Sequence, residues 1–226
     1  MDATVDAIVF DWDGTLVDTL GALYDANVAV LAAFGLPFDE ALYRRHYAPD
    51  WRLMYTQLGI PADRLHEANA HWERVFDAER LGRPFDGVVD ALKRLRDGGY
   101  RLGLVTAANR VVAEPQIRRA GLADLLAVRV YGDDLPVHKP DPRPLRVALA
   151  ELGVADPVRA AYVGDAPTDM RMARAVGAHG IGILSILGDP EALRAAGATI
   201  VADSVAGWVD DVLGTSDPVP AARRDR

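Results

Sequence analysis

Short apolar runs rich in valine, isoleucine and leucine alternate along the chain with segments of helical periodicity. Runs that are apolar throughout, rather than at every second position, predict strands that are buried on both faces of a parallel sheet. The predicted strands are residues 5–10, 102–105, 127–131, 160–163, 180–183 and 199–201. Between them lie helical patterns at 88–97, 111–120, 144–152 and 168–176, several of which end at a glycine. The alternation predicts an α/β fold with a mostly parallel sheet.

Residues 19–84 break this alternation. Helical patterns cover 19–34, 39–46, 51–58 and 62–81, with prolines between them and no strand-like run. We therefore predict a small all-helical insertion between the first strand and the rest of the sheet. This divides the chain into a core of residues 1–18 and 85–214, the helical insertion of residues 19–84, and a tail of residues 215–226. The tail carries proline and charge without periodicity, which predicts disorder.

Composition and charge narrow the function classes. The chain has 226 residues, 50% of them hydrophobic, no cysteine and a formal net charge of -8. The lack of cysteine excludes disulfides, thiolate nucleophiles and zinc–thiolate sites. The acidic balance argues against nucleic-acid binding, which needs a basic surface, and no apolar run is long enough to span a bilayer. We expect a cytoplasmic protein with neither a nucleic-acid nor a membrane partner, and an anionic substrate would need a local positive patch or a metal ion.

Polar residues that suit one kind of chemistry follow four of the predicted strands. In an open parallel sheet, ligands bind at the carboxyl ends of the strands. The side chains predicted to meet there are Asp11 and Asp13 after the first strand, Thr106 after the second, Lys139 after the third, and Asp165 and Asp169 after the fourth. Taken singly, an aspartate or a threonine here reads as a helix cap, and a lysine as a solvated surface charge. Their occurrence at four consecutive strand ends favours a common site.

These residue types suit phosphoryl transfer. Closely spaced aspartates are hard oxygen ligands for Mg²⁺, and a bound cation offsets the repulsion between buried acids. One carboxylate can act as the nucleophile, and a second acid can protonate the leaving group and later deprotonate water. Thr106, neighbouring backbone N–H groups and Lys139 would hold the phosphoryl oxygens. Lys139 is one of only two lysines in the chain.

The four segments "DWDGT", "LVTAAN", "HKPDP" and "VGDAPTD" resemble, in order, the four motifs of the haloacid dehalogenase (HAD) superfamily. The resemblance covers nearly the whole chain except the tail. It implies a Rossmann-like core with the strand order 3-2-1-4-5, and it identifies the helical insertion as a C1-type cap. Such a cap places the chain near the phosphoglycolate phosphatase and β-phosphoglucomutase branches.

The resemblance also implies roles for individual residues. Asp11 is the expected nucleophile and Asp13 the expected general acid and base, while Thr106 and Lys139 bind phosphate. The expected cofactor is Mg²⁺, held by Asp11, the backbone carbonyl of Asp13, and Asp165. Asp169 would act either on the metal through a water molecule or by orienting Lys139.

One position departs from the pattern of many phosphatase relatives. They have asparagine or serine directly after the second-motif threonine, whereas this chain has Ala107. If the backbone N–H of Ala107 binds the phosphate, the change matters little. If a side chain there contacts the substrate, the preference for the leaving group should differ.

Several reactions of the superfamily can be weighed against these residues. Dehalogenases do not need the acid at Asp13, and phosphonoacetaldehyde hydrolases use a cap lysine, which residues 19–84 lack. The leading hypothesis is a Mg²⁺-dependent phosphatase that hydrolyses a small phosphorylated metabolite, of phosphoglycolate phosphatase type, through an aspartyl phosphate. A sugar phosphomutase, a pyrophosphatase and a non-catalytic phospho-ligand-binding protein stay open. We expect a monomer or a weak homodimer.

Substrate choice is expected to depend on the cap. The segment "RRHYAPDWR", residues 44–52, mixes histidine, tyrosine, tryptophan and arginine around a proline. Arg52 and His46 are the candidate contacts to an anionic leaving group. A purely structural alternative is a turn between two helices with Trp51 packed inside the cap.

Overall fold

A single six-stranded sheet forms the centre of the molecule. The computed structural model describes residues 5–47, 51–76, 83–186 and 188–214. The strands are β1 (Ala7–Phe10), β2 (Arg101–Val105), β3 (Val128–Val130), β4 (Ala160–Gly164), β5 (His179–Ile183) and β6 (Ala198–Ala202). All pair in parallel, in the order β3-β2-β1-β4-β5-β6. The six predicted strands and the order 3-2-1-4-5 are confirmed, with β6 added at the edge.

Within the described residues, four α-helices lie between β1 and the rest of the core, as the sequence predicts. They are α1 (Leu20–Ala33), α2 (Glu40–His46), α3 (Trp51–Gln57) and α4 (Leu65–Val75). Their apolar faces enclose a hydrophobic cluster of their own that includes Val30, Tyr43, Tyr55 and Ile60. We call these helices and their connections the helical insertion, and the limits of the two domains stay predictions.

The helix predicted over 62–81 is wrong at both ends. Residues Ala62–Arg64 form a 3₁₀ turn, in which the Leu65 N–H bonds to the carbonyl of Ala62, three residues back. At the other end the backbone is extended at Phe76, whose ring stacks on Trp72 with centroids 4.0 Å apart. The remaining residues of that prediction, 77–81, lie outside the described residues, as does the tail at 215–226.

The chain enters and leaves the insertion at one place. Val17 forms an isolated antiparallel bridge with Pro84. The Asp18 N–H donates to the carbonyl of Arg83 at 3.1 Å, and the Phe85 N–H donates to the carbonyl of Leu16 at 3.1 Å. The outgoing and returning connections therefore lie side by side, close to Asp13.

Helices cover both faces of the sheet. Those that follow the insertion are α5 (Val88–Asp97), α6 (Arg110–Arg119), α7 (Arg143–Glu151), α8 (Pro167–Val176), α9 (Pro190–Ala196) and α10 (Val205–Leu213). Alternate residues of β1 point to opposite faces: Ile8 and Phe10 join the cluster under α5, α6 and α10, whereas Ala7 and Val9 join the one under α7 and α8. Helices α9 and α10 were not predicted from the sequence. No helix in the described part of the chain combines the length and apolarity needed to cross a bilayer.

Candidate active site

The predicted site residues meet at the carboxyl edge of the sheet. Asp11 directly follows β1, Thr106 follows β2 and Asp165 follows β4, and all three are buried. Lys139 lies in the connection from β3 to α7, and Asp169 lies in the first turn of α8. Because every strand runs in the same direction, these strand ends converge on one small region, as the sequence predicts.

Lys139 is the cation at the centre of the site. Its Nζ lies 2.7 Å from Asp11 Oδ1 and 2.7 Å from Asp169 Oδ1, and its side chain is only 10% exposed. Burial alone would lower the pKa of Lys139, but the carboxylates of Asp11 and Asp169 outweigh it and raise that pKa well above its usual value. The raised pKa favours the charged ammonium form of Lys139 next to Asp11.

Three buried carboxylates surround this cation. One oxygen each from Asp11, Asp165 and Asp169 lies within 4.8 Å of the others. Burial raises the pKa of Asp11 well above its usual value, against the pull of Lys139 and with the help of the other two acids. Burial, together with the charge of Asp169, raises the pKa of Asp165 to about 7. With all three acids ionised, one ammonium would leave the cluster with an excess of negative charge, which a cation would offset. An all-oxygen donor set of this kind fits Mg²⁺.

Hydroxyl groups and a glycine shape the surroundings of Asp165. Ser185 Oγ donates to Asp165 Oδ2 at 2.5 Å, and Thr15 Oγ1 lies 3.5 Å from Oδ1. Gly14 adopts a φ of 75°, and a Cβ atom at that position would collide with the Asp165 carboxylate. Ser185 was not among the predicted site residues, although it follows β5 in the same way that the predicted residues follow their strands.

Asp13 lies beside this cluster rather than within it. Its side chain is partly buried, and the Thr19 hydroxyl donates to Asp13 Oδ1 at 2.6 Å. Burial raises the pKa of Asp13, and the bond from Thr19 opposes that shift. A raised pKa favours the protonated form, which a general acid needs.

The segment after β2 presents a hydroxyl and backbone N–H groups. Thr106 Oγ1 accepts a hydrogen bond from the Ala108 N–H at 3.0 Å, so its own proton can be donated to an anion. The Gly132 N–H holds the carbonyl of Ala108 at 2.9 Å, and a Cβ atom at Gly132 would collide with the carbonyl of Ala107. The close approach of Gly132 therefore fixes the backbone of this segment.

A cavity of about 740 Å³ separates the sheet edge from the helical insertion. Its floor includes Asp11, Asp13, Lys139, Asp165 and Asp169. Residues of the insertion, of the core loops and of α8 also line the cavity, among them Arg44, Tyr47, Trp51, Arg52, Ala107, Asn109, His138 and Arg171. His46 is not part of this lining in the described structure. Its Nδ1 lies 3.4 Å from Gln57 Oε1.

Three of the residues that line the cavity are arginines, two from the insertion and one from α8. Arg44 donates from Nε to the carbonyl of Ile186 at 2.6 Å and pairs with Glu40. The Arg52 guanidinium lies 4.6 Å from the ring centroid of Trp51. Arg171 is exposed and makes no ion pair with any residue that the structure describes. An anion bound above the acidic floor would meet these guanidinium groups.

Comparison with known proteins places the chain in a family. The sequence model of one protein family, the haloacid dehalogenase-like hydrolases, matches residues 5–177 of this chain. A phosphoglycolate phosphatase of Rhodospirillum rubrum is 35% identical over 228 residues, covering 94% of this chain and 92% of that protein. A plasmid-encoded phosphoglycolate phosphatase of Cupriavidus necator is 38% identical over 179 residues, covering 76% of this chain and 77% of that protein.

Solved structures agree with this result. The structure of CbbY from Rhodobacter sphaeroides in complex with phosphate is similar, with a TM-score of 0.67 and 26% sequence identity over 90% of this chain and 96% of that one. The chain belongs to the haloacid dehalogenase-like hydrolases, and the family resemblance carried by its four motifs is confirmed.

Proposed function

We propose that this protein, a phosphatase of the haloacid dehalogenase-like family, hydrolyses a small phosphomonoester in a Mg²⁺-dependent reaction through a phosphate ester on Asp11. The observation that carries the proposal is the buried contact of Lys139 Nζ with both Asp11 and Asp169, beside Asp165. In this contact the Lys139 ammonium lies 2.7 Å from the proposed nucleophile, where the phosphoryl group would bind.

The metal would be held by Asp11, Asp165 and the backbone carbonyl of Asp13, as the family resemblance implies, with Asp169 reaching it through a water molecule. When bound, Mg²⁺ would offset the negative charge of the acids and of the substrate phosphate and polarise the phosphoryl oxygens. Asp169 has a second role in this arrangement, because its Oδ1 also accepts a hydrogen bond from Lys139.

The first chemical step uses Asp11 and Asp13. A carboxylate oxygen of Asp11 attacks phosphorus, a new P–O bond forms, and the bond from phosphorus to the leaving oxygen breaks. Asp13 in its protonated form gives its proton to that oxygen, and burial supports this form by raising its pKa. Lys139 and the Thr106 hydroxyl hold the phosphoryl oxygens as the negative charge on them shifts.

The second step regenerates the enzyme. Asp13, now a carboxylate, takes a proton from water, and the water oxygen attacks phosphorus. The bond from phosphorus to Asp11 breaks, which releases inorganic phosphate and restores the Asp11 carboxylate. Each residue therefore returns to its starting protonation state after one turnover.

The cavity favours a leaving group that carries its own negative charge. Arg44, Arg52 and Arg171 line it, although the protein as a whole is acidic. Two relatives that align with at least three quarters of the chain are named phosphoglycolate phosphatases. We therefore propose a phosphorylated carboxylic acid such as 2-phosphoglycolate as the substrate class, with Arg52 as a contact to the carboxylate.

A substrate panel with purified protein tests the proposal. Phosphate release is measured with Mg²⁺ and with EDTA for phosphoglycolate, hexose phosphates, pyrophosphate and alkyl phosphates without a second charge. We expect Mg²⁺-dependent release with the highest kcat/KM for phosphoglycolate. Isomerisation of a hexose phosphate faster than its hydrolysis would indicate the phosphomutase instead, and a preference for pyrophosphate would indicate the pyrophosphatase.

The absence of phosphate release from every compound would refute the proposal and favour the non-catalytic binding protein. The cytoplasmic location and the monomer or weak homodimer stay predictions. Gel filtration of the same preparation tests the second of them.

A further inference from the structure

The hydroxyl of Tyr162 contacts three parts of the site: the end of β2, Lys139 and Asp169. Tyr162 lies within β4, between β1 and β5, and its side chain is fully buried. Its hydroxyl donates to the carbonyl of Val105 at 2.9 Å, lies 3.2 Å from Lys139 Nζ and lies 3.4 Å from Asp169 Oδ1. A residue that the sequence assigns to an apolar strand therefore ends in a polar group at the centre of the site.

The hydrogen-bonding capacities of these groups fix the direction of each bond. An ammonium can only donate, so the Tyr162 hydroxyl accepts from Lys139. Its single proton goes to the nearer acceptor, the Val105 carbonyl at 2.9 Å, rather than to Asp169 Oδ1 at 3.4 Å. The Lys139 ammonium has three N–H bonds. Its three acceptors are Asp11, Asp169 and Tyr162. Before substrate binds, every donor of the ammonium is thus assigned, and the hydroxyl supplies the uncharged acceptor among the three. A bound phosphoryl group would take the N–H that points to Asp11.

We propose that Tyr162 is a positioning residue for the reaction, whose hydroxyl holds the Lys139 ammonium between Asp11 and Asp169. The same hydroxyl donates to the backbone carbonyl of Val105, directly before Thr106. Tyr162 on β4 therefore contacts both Lys139 and the strand end that carries Thr106, the two groups proposed to bind phosphate. The inference rests on the proposed function of this site and adds a residue that the four sequence motifs do not include.

Loss of the hydroxyl would leave one ammonium N–H and the Val105 carbonyl without their partner. An unpaired buried hydrogen-bonding group costs free energy, so the ammonium would turn toward another acceptor. Lys139 would keep its charge and its attraction for phosphate, but its alignment with Asp11 would be lost. We expect the Tyr162→Phe variant to show a kcat reduced by about 10-fold and a KM changed by less than about 2-fold, since the loss acts mainly in the transition state.

A matched variant separates this role from a general loss of packing. Tyr55 is also buried, and its hydroxyl donates to Asn27 Oδ1 at 2.7 Å within the helical insertion. Tyr55→Phe therefore removes a buried, hydrogen-bonded hydroxyl away from Lys139. We expect it to lower the melting temperature and to leave kcat within about 2-fold of the parent. If Tyr162→Phe keeps kcat within the same range as Tyr55→Phe, the proposal is wrong.

A double-mutant cycle tests whether Tyr162 acts through Lys139. The parent, Tyr162→Phe, Lys139→Met and the double variant are compared by single-turnover phosphate release and by urea unfolding. In the parent, we expect Tyr162→Phe to lower both the rate and the unfolding midpoint. In the Lys139→Met background, the same substitution should lower each of these quantities by a clearly smaller amount. The unfolding data complete the cycle even if Lys139→Met is inactive.

Additive effects on the unfolding midpoint would show no coupling between the two side chains and would overturn the proposal. A parent protein without phosphatase activity would instead refute the proposed function. The two failures are therefore distinguishable.

Discussion

The sheet edge and the helical insertion face the same cavity, but different interactions hold their side chains. At the sheet edge, ion pairs and hydrogen bonds join residues that are far apart in sequence, such as Lys139 with Asp11 and Ser185 with Asp165. In the insertion, Trp51 and Arg52 are neighbours in sequence, and the Arg52 guanidinium lies over the Trp51 ring.

This difference matches the roles proposed for the two regions, catalysis at the sheet edge and recognition of the leaving group in the insertion. A reaction needs fixed distances between few groups, and buried polar networks provide them. Recognition of a leaving group tolerates more variation, because an arginine can reach an anion from several positions. Substitutions should therefore cost most at the sheet edge and least in the insertion.

The largest effect is expected for Asp11→Asn. An amide oxygen is a poor nucleophile, so kcat should fall by at least about 10³-fold, in line with other losses of a catalytic nucleophile. Phosphate release under saturating substrate measures it. Asp124→Asn changes an exposed aspartate in the same way and should leave kcat unchanged. Unchanged hydrolysis by Asp11→Asn would remove Asp11 from the role of nucleophile.

Asp13→Asn should have the next largest effect, and its size should depend on the leaving group. General acid and base catalysis contributes about 10²–10⁴-fold, so hydrolysis of phosphoglycolate should fall by about 10²-fold or more. Nitrophenolate leaves without needing a proton, so p-nitrophenyl phosphate should still phosphorylate the enzyme. A rapid burst of nitrophenolate followed by slow turnover is the expected result, and equal losses at both steps for both substrates would contradict it.

Magnesium should stabilise the sheet edge, and more so at higher pH. The pKa of Asp165, about 7, lies above its ordinary value of 3.8. The folded, metal-free protein therefore binds more protons than the unfolded chain between these values, and its stability falls as pH rises through that range. Mg²⁺ needs the ionised carboxylates, so its effect should be larger at pH 8 than at pH 6.

Thermal unfolding with and without Mg²⁺ measures this dependence. At a metal concentration far above the dissociation constant, we expect an increase of about 5–10 °C in Tm at pH 8. Asp165→Asn should lose most of that increase and most of its pH dependence. An increase that is the same at both pH values, or the same in the variant, would count against the metal site.

The smallest effect is expected in the insertion, for Arg52→Gln. Loss of one cation from the cavity should lower kcat/KM for phosphoglycolate by about 10-fold, the scale of a single charged hydrogen bond. It should leave an alkyl phosphate without a second charge nearly unaffected. Arg45→Gln removes an exposed arginine outside the cavity lining and serves as the control. Equal losses with both substrates would show that Arg52 does not contact the leaving group.

Much of the fold follows from local patterns in the sequence. Each strand is a short apolar run, because both faces of the sheet are covered, and strand ends could be found by where such runs stop. Helices α9 and α10 were not predicted, although they are as long as α2 and α7, which were. The signal that could have found them is the N-cap, since the side chains of Asp189 and Ser204 accept the N–H groups of Ala192 and Gly207. The end of the helix predicted over 62–81 was missed because apolar residues such as Phe76 continue the pattern while packing outside a helix.

The site was predictable where residue type and strand end coincide, as at Asp11, Thr106, Lys139 and Asp165. Ser185 follows the same rule on the fifth strand and could have been found by applying it there. Tyr162 could not, because its side chain starts among apolar neighbours and only its hydroxyl reaches the polar network. Arg171 lies on a helix, where no strand-end rule points to it.

The bridge between Val17 and Pro84 has a consequence for how such proteins diversify. Since the two connections of the insertion meet at one point, the segment between them closes a loop whose length can change at small cost, about 0.6 kcal/mol for each doubling. A different recognition module can therefore be joined there without disturbing the strand order or the catalytic geometry. Under the proposed function, in which the insertion contacts the leaving group, replacement of the segment between Val17 and Pro84 would change the substrate and keep the residues of the sheet edge.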